Sequence, residues 1–250
     1  MKIAVLNTKG GASKSTVALQ VLGAYFLKKE EPVEVIELDD ENKDAESFSK
    51  TAIKTRQVKV GDGSAMSEIL RSNIKLDDSN LVIDVGGNKT TTLFIDAFKK
   101  SFLYEALDLI VIPMSGGSQD LKNAERTYEM VKPFNKKVLF ALSRMRNIER
   151  KEIQYGEFFK TFPKMPYIIL KDSDVIDLSR QIEKTVFEVA NDIKYGETLG
   201  EMMKDALLSK NDDKFKFVSV KREIFEESKE YVADILEPAW EKIEKVLAKK

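Results

Sequence analysis

The chain contains no cysteine and no histidine among its 250 residues. Those absences remove whole classes of chemistry. There can be no disulfide, no Cys/His zinc site, no thiolate-held iron–sulfur cluster, and no Ser–His or Cys–His nucleophilic triad. A chain of this length buries most of the surface that its unfolded form exposes and needs no covalent staple, and the lack of Cys fits a cytosolic, cytoplasmic protein. No apolar run approaches the length of a membrane span, and the start, MKIAVLNTKGG, reads as a strand and a loop rather than a secretion signal. The formal net charge of −1 supplies no global basic field. What remains for chemistry is carboxylates, Lys, Arg, hydroxyls, backbone amides and a hard metal ion.

Hydrophobic residues make up 42% of the chain and charged residues 33%, the balance of a folded globular protein. Short apolar runs recur at 2–7, 33–38, 81–87, 107–114, 137–143 and 166–171. Between them lie stretches with helical spacing, including 14–29, 119–132 and 149–162. Strands alternating with helices predict an α/β fold: a doubly wound parallel sheet with helices on both faces. Ligands on such sheets sit beyond the carboxyl ends of the strands. Residues 174–210 read as irregular and then helical, 209–216 as a linker, and 219–248 as one or two long helices broken near Pro238. The chain is therefore divided into a domain at 1–210 and extra C-terminal helices at 211–250, packed on that domain or on a partner.

Between the first strand and the first helix lies Lys9-Gly10-Gly11-Ala12-Ser13-Lys14-Ser15-Thr16. Glycines let a backbone turn tightly and bring its amides to phosphate oxygens, and the helix start adds free N–H groups and a favourable dipole. Lys14 stands where a lysine reaches β- and γ-phosphates, and Ser15 where a hydroxyl ligates Mg²⁺. The pattern GxxxxGK[ST] is not met, because Thr8 and Ser13 replace its glycines. The pattern that is met, KGGxxK[ST]T, resembles the deviant Walker A loop of the ParA/MinD partition and positioning ATPases.

That resemblance carries a set of expectations. It implies a P-loop NTPase-like fold, ATP and Mg²⁺ as cofactors, slow hydrolysis stimulated by a partner, and an ATP-dependent homodimer. Lys9 would reach across the dimer to the partner subunit's nucleotide. Ser13 departs from the glycine that most members carry. Glu37-Leu38-Asp39-Asp40 ends the second strand where the family shows Asp-x-Asp; Asp39 matches the acid that positions the hydrolytic water, Glu37 replaces the acid beside the metal, and Asp40 is an alternative for either. LVIDVGG resembles Walker B and its switch, with Asp84 on Mg²⁺ through water and Gly86 and Gly87 able to sense the γ-phosphate. Pro113 and Asp120 match a further switch segment, although an acid at a helix start is also a common dipole partner. No guanine-reading NKxD follows the fifth strand, which points away from GTP. Ser143, Arg144 and the 171–174 loop are candidates for the adenine pocket.

Family relatives bind DNA without sequence preference and act with a DNA-binding adaptor of the ParB kind, so non-specific DNA is a partner to consider. Two basic clusters could form that surface: Arg144, Arg146, Arg150 and Lys151, and then Lys210, Lys214, Lys216, Lys221 and Arg222. Acids are interleaved in both. The last helix places Val232, Ile235, Leu236, Ala239, Trp240, Ile243, Val246 and Leu247 on one face. Its polar face mixes Glu237, Glu241 and Glu244 with Lys242 and Lys245, which favours packing on protein over a membrane. The functional reading is a ParA-like switch in plasmid partition, DNA segregation or conjugative DNA processing. Its rivals are a nucleotide-gated binding module that does not hydrolyse and a MinD-like membrane positioner; cluster carriers and reductases of the same superfamily are disfavoured by the missing cysteines.

Overall fold

The computed structural model describes residues 1–39, 47–60 and 66–249. Among the described residues seven strands form one sheet: β1 (Lys2–Val5), β2 (Val33–Leu38), β3 (Lys54–Val58), β4 (Asn80–Val85), β5 (Leu109–Met114), β6 (Lys137–Met145) and β7 (Tyr167–Lys171). Their order across the sheet is β3-β2-β4-β1-β5-β6-β7, and every pairing is parallel. β1 lies between β4 and β5, so the chain winds from the centre to one edge and then to the other. The loop after β1 therefore opens at the place where strand order reverses, the usual crevice for a ligand on such a sheet.

Alternation along the strands builds two cores. Ile3 and Val5, Val35, Val82, Leu109 and Val111 face one side; Ala4 and Leu6, Ile36 and Leu38, Ile83, Ile110 and Ile112 face the other. Both sets are buried, which is why the strands read as unbroken apolar runs. The first face is covered by the helix after β1, which runs from α1 (Lys14–Thr16) through a π-helical segment (Val17–Gly23) to α2 (Ala24–Lys28). Against the second face pack α3 (Met66–Asn73), α4 (Asn88–Ser101), α5 (Ser118–Val131) and α6 (Lys151–Thr161).

Beyond β7 come α7 (Asp174–Ile182), α8 (Val186–Ala190), α9 (Ile193–Leu208), α10 (Asp212–Tyr231), a π segment (Val232–Leu236) and α11 (Glu237–Ala248). The apolar face of the last helix is spent inside the molecule. Leu236, Trp240 and Ile243 are at most 3% exposed and join the same core as β1. Trp240 Nε1 donates to the Val21 carbonyl at 2.8 Å, an acceptor in the π-helical stretch. Among the described residues no helix is long and apolar enough to cross a membrane.

Two expectations need correction, and one strand was not predicted. Residues 209–216 are not a linker: only a turn at 209–211 separates α9 from α10. Asn211 caps α10 by accepting from the Lys214 amide at 2.9 Å, and Asp212 and Asp213 occupy the first turn, so a run that looks loop-like is a helix start. The chain does not break at Pro238: α10, the π segment and α11 run on in right-handed helical conformation, and Pro238 is the second residue of α11, just past the π segment. β3 went unnoticed because its sequence, KTRQV, is polar. It is an edge strand whose Lys54 and Arg56 pair with Glu34 of β2, and its charges suit an edge open to solvent.

Candidate nucleotide site

The loop after β1 is held from three directions. The Asn7 side chain donates to the Pro113 carbonyl at 2.7 Å and accepts from the Lys9 amide at 2.8 Å. The Thr8 amide donates to the Thr127 hydroxyl at 3.0 Å, and the Thr8 carbonyl accepts from the Asn88 amide at 2.9 Å. The Thr91 hydroxyl lies 3.0 Å from the Asn7 carbonyl and 2.6 Å from that of Gly86. The loop is thus fixed to the ends of β4 and β5 through backbone groups that would otherwise be buried without partners.

Within the loop, Gly11 has φ +70° and Ser13 has φ +64°. Position 13 therefore takes the left-handed conformation that suits glycine, and Ser13 holds it as the residue just before α1. The Ser13 carbonyl accepts the first helical bond, from the Val17 amide at 3.0 Å. Lys14 is 8% exposed, and its ammonium donates to the Lys9 carbonyl at 3.2 Å, folding the side chain back over the loop. The N–H groups of 14–16 begin a helical run of three to four turns, so their dipole faces the same cleft.

The acids arrive from the neighbouring strands. In the sheet register Glu37 of β2 lies beside Asp84 of β4, and Asp84 beside Val5, the last residue of β1. Side chains paired in this way share a face, so Glu37 and Asp84 point together and Asp39, two residues on, follows Glu37. All three are at most 9% exposed. Asp40 lies outside the described residues. Glu37 and Asp84 suit Mg²⁺, a hard ion that takes oxygen ligands and usually keeps several waters. Among the described residues no cluster of three or more acids forms a ready-made cage. The Ser15 hydroxyl would be a further oxygen donor for such an ion.

Gly86 and Gly87 are where the acid-bearing strands meet the loop. A β-carbon on Gly86 would lie 2.9 Å from the Leu38 carbonyl and 3.0 Å from the Asp39 carboxyl carbon. One on Gly87 would lie 2.8 Å from both the Cα and the nitrogen of Gly10. Only glycine admits this approach, which couples the phosphate loop, Asp39 and the turn after β4 sterically.

These groups share a cleft of about 400 Å³. Gly11 to Thr16, Glu37, Asp39, Asp84 and Gly86 line one end, and Ser143, Arg144 and the 171–173 loop line the other. Ser143 is buried and donates to the Met114 carbonyl at 3.0 Å; Arg144 has φ +56°, and its carbonyl accepts from the Gln154 side chain at 2.8 Å. Tyr155, whose hydroxyl bonds the Ser143 carbonyl, is pushed above the ordinary tyrosine range by burial and stays protonated as that donor. Asp120, at the first turn of α5, is ion-paired with Lys9 of its own chain. Sequence reasoning missed Asp177 and Arg180 of α7, which also line the cleft. No motif marked them, and only the docking of α7 beside α1 brings them in.

The basic clusters are dispersed. Arg144 belongs to the cleft, whereas Arg146 and Arg150 are exposed on the loop before Lys151 of α6. On α10, helical spacing sets Lys214 and Lys221 on one side and Lys216 on the opposite side. Lys214 pairs with Asp205, Lys221 lies over the Phe217 ring, and Arg222 lies against Gly200 of α9.

No protein-family model and no curated protein sequence matches the chain. Solved structures do. The septum site-determining protein MinD of Pyrococcus horikoshii, complexed with Mg-ADP, has a TM-score of 0.51 at 15% identity over 74% of this chain and 86% of its own. Apo McdA of Cyanthece gives 0.52 at 13% identity over 76% and 93%. A ParA family ATPase of Chlorobium tepidum gives 0.51 at 14% identity over 76% and 92%. The chain has the P-loop NTPase-like fold of these MinD and ParA proteins.

Proposed function

We propose that this chain is an ATPase of the partition and positioning kind, which binds ATP with Mg²⁺ and works as a nucleotide-dependent dimeric switch. The observation that carries this reading is the convergence on one cleft of the phosphate loop, the Glu37–Asp84 pair and Asp39. Its fold likeness to a MinD protein complexed with Mg-ADP supports the same ligand.

In this reading Lys14 and the loop amides hold the β- and γ-phosphates, and Ser15, Asp84 and Glu37 hold the metal shell. Mg²⁺ supplies positive charge across the phosphates when bound. Asp39 orients the attacking water towards the terminal phosphate, and Gly86 and Gly87 relay the state of that phosphate to the turn they share with the loop. Lys9 acts in trans on the partner subunit's nucleotide. Hydrolysis resets the dimer and is slow until an adaptor stimulates it. The work done is positioning of DNA or of another cargo, as in plasmid partition or conjugative DNA processing, with a ParB-like adaptor and non-specific DNA as partners.

The test is the solution mass of wild type and Lys14→Ala by light scattering, with ADP and with a non-hydrolysable ATP analogue. A shift from monomer to dimer for wild type with the ATP analogue alone supports the switch. Constant mass together with no nucleotide binding in calorimetry overturns it. Steady-state turnover of Asp39→Ala separates hydrolysis from gating. Binding with loss of turnover to ~1% or less fits a water-orienting carboxylate, and wild-type binding without turnover makes the chain a nucleotide-gated module.

A further inference from the structure

The helix that follows β7 is bolted to the helix that follows the phosphate loop. Gln20, buried in the loop's helix, donates from Nε2 to the Ser179 hydroxyl at 2.8 Å and accepts from the Val186 amide at 2.7 Å. Ser179 and Val186 are themselves fully buried. One turn nearer the loop, on the same face as Gln20, stands Thr16. Arg180 Nη2 donates to the Thr16 hydroxyl at 3.2 Å. The Gln20 clamp therefore sets α7 in register with α1 and fixes the guanidinium of Arg180 over the last residue of the phosphate loop.

Arg180 keeps capacity for a ligand. A guanidinium has five N–H donors in a rigid fork, and one of them meets Thr16. Its contact with Asp177 is long, at 3.7 Å, and Asp177 is mostly exposed. The other charged groups lining the cleft are Lys14, Glu37, Asp39, Asp84, Arg144, Lys171, Asp172 and Asp177. Glu37 and Asp84 come from β2 and β4, on one side of β1 in the sheet, and Asp39 directly follows β2. Thr16 is one residue beyond Ser15, and Arg180 comes from α7, which follows β7 with Asp172 and Ser173 on the other side of β1 from those acids.

From this placement we infer that Arg180 is a nucleotide-binding residue of the cleft, offering its guanidinium to the phosphate next to the nucleoside. The inference rests on the nucleotide reading of the site and adds a cation that no loop motif announces. A contact at that phosphate is made equally to ADP and ATP, and equally in the ground state and in the transition state of hydrolysis. It sets affinity and leaves the chemical step alone.

The test is calorimetry of Mg-ADP and Mg-ATPγS with wild type, Arg180→Ala, Arg180→Gln and Arg180→Lys, alongside steady-state hydrolysis and thermal unfolding without nucleotide. Charge-assisted hydrogen bonds predict about a tenfold or greater loss of affinity for both nucleotides in the Ala and Gln variants, with substantial recovery in Lys. The kcat at saturating ATP should stay within about twofold of wild type, and the unfolding midpoint without nucleotide should barely move. Wild-type affinity in Arg180→Ala overturns the inference. So does wild-type affinity in Arg180→Gln, which keeps a donor for Thr16 without the charge and would reduce Arg180 to a tie between helices. If wild type itself binds neither nucleotide, the reading of the cleft fails first and the Arg180 contact falls with it.

Discussion

Lys9 of the phosphate loop and Asp120 of α5 form an ion pair within one chain, the lysine partly exposed and the carboxylate buried. The lysine that the family resemblance sends to a partner subunit is, in the single chain, held at home.

Releasing Lys9 should therefore favour the dimer. A partly exposed ion pair contributes ~1 kcal/mol or less, equivalent to up to about fivefold in an equilibrium. Asp120→Ala is expected to lower, by that factor, the protein concentration at which the ATP analogue produces dimers, with no dimer in ADP. Analytical ultracentrifugation measures the midpoint; a midpoint moved upward would mean that Asp120 itself supports the assembled state.

Ser13 holds a backbone conformation made for glycine. A left-handed residue with a β-carbon costs roughly 1–2 kcal/mol, and glycine returns about half of that through the entropy of the unfolded chain. Ser13→Gly should stabilise the protein by ~0.5–1 kcal/mol, a rise of about 1–4 °C in the unfolding midpoint by circular dichroism. A fall would show that the serine hydroxyl contributes more than the strain removes.

Trp240 makes the last helix part of the core. Its indole is 3% exposed, bonds the Val21 carbonyl and meets Phe187 edge-on at 5.7 Å. Trp240→Ala should cost ~3–5 kcal/mol. Lys245→Ala, at an exposed i,i+4 pair with Glu241, should cost ~0.5 kcal/mol or less. Equal, small losses in urea unfolding would mean that the helix is only loosely attached.

Stability should fall in acid partly through Asp77. The Ser79 hydroxyl, and then the buried Lys2 ammonium 3.0 Å away, hold its carboxyl well below the usual carboxylate range. A folded-state value lowered in this way contributes stability that is fully present above the unfolded value of ~3.9 and is lost as pH falls through the folded value. Asp77→Asn should lower the unfolding midpoint at pH 7 by more than it does at pH 3. A constant gap between variant and wild type across that range would rule Asp77 out as a contributor.

The sequence by itself determined the sheet and the loop. Both faces of the central strands are covered, so those strands had to be apolar runs. The loop after β1 is a local turn, so its glycines, Lys14 and Ser15 are contiguous and their resemblance to a phosphate-binding motif is readable. Asp39 and Asp84 were legible because each ends such a run. The edge strand β3 was not, since an edge tolerates charge and lacks the signature of burial. Tertiary structure alone decided which distant residues meet: that Glu37 lies in register with Asp84, that Lys9 is occupied by Asp120, and that α7 presents Arg180 to Thr16. Those contacts span 47, 111 and 164 positions of the chain. They depend on the order of strands and the seating of helices, which come from packing the whole molecule and leave no local pattern to read.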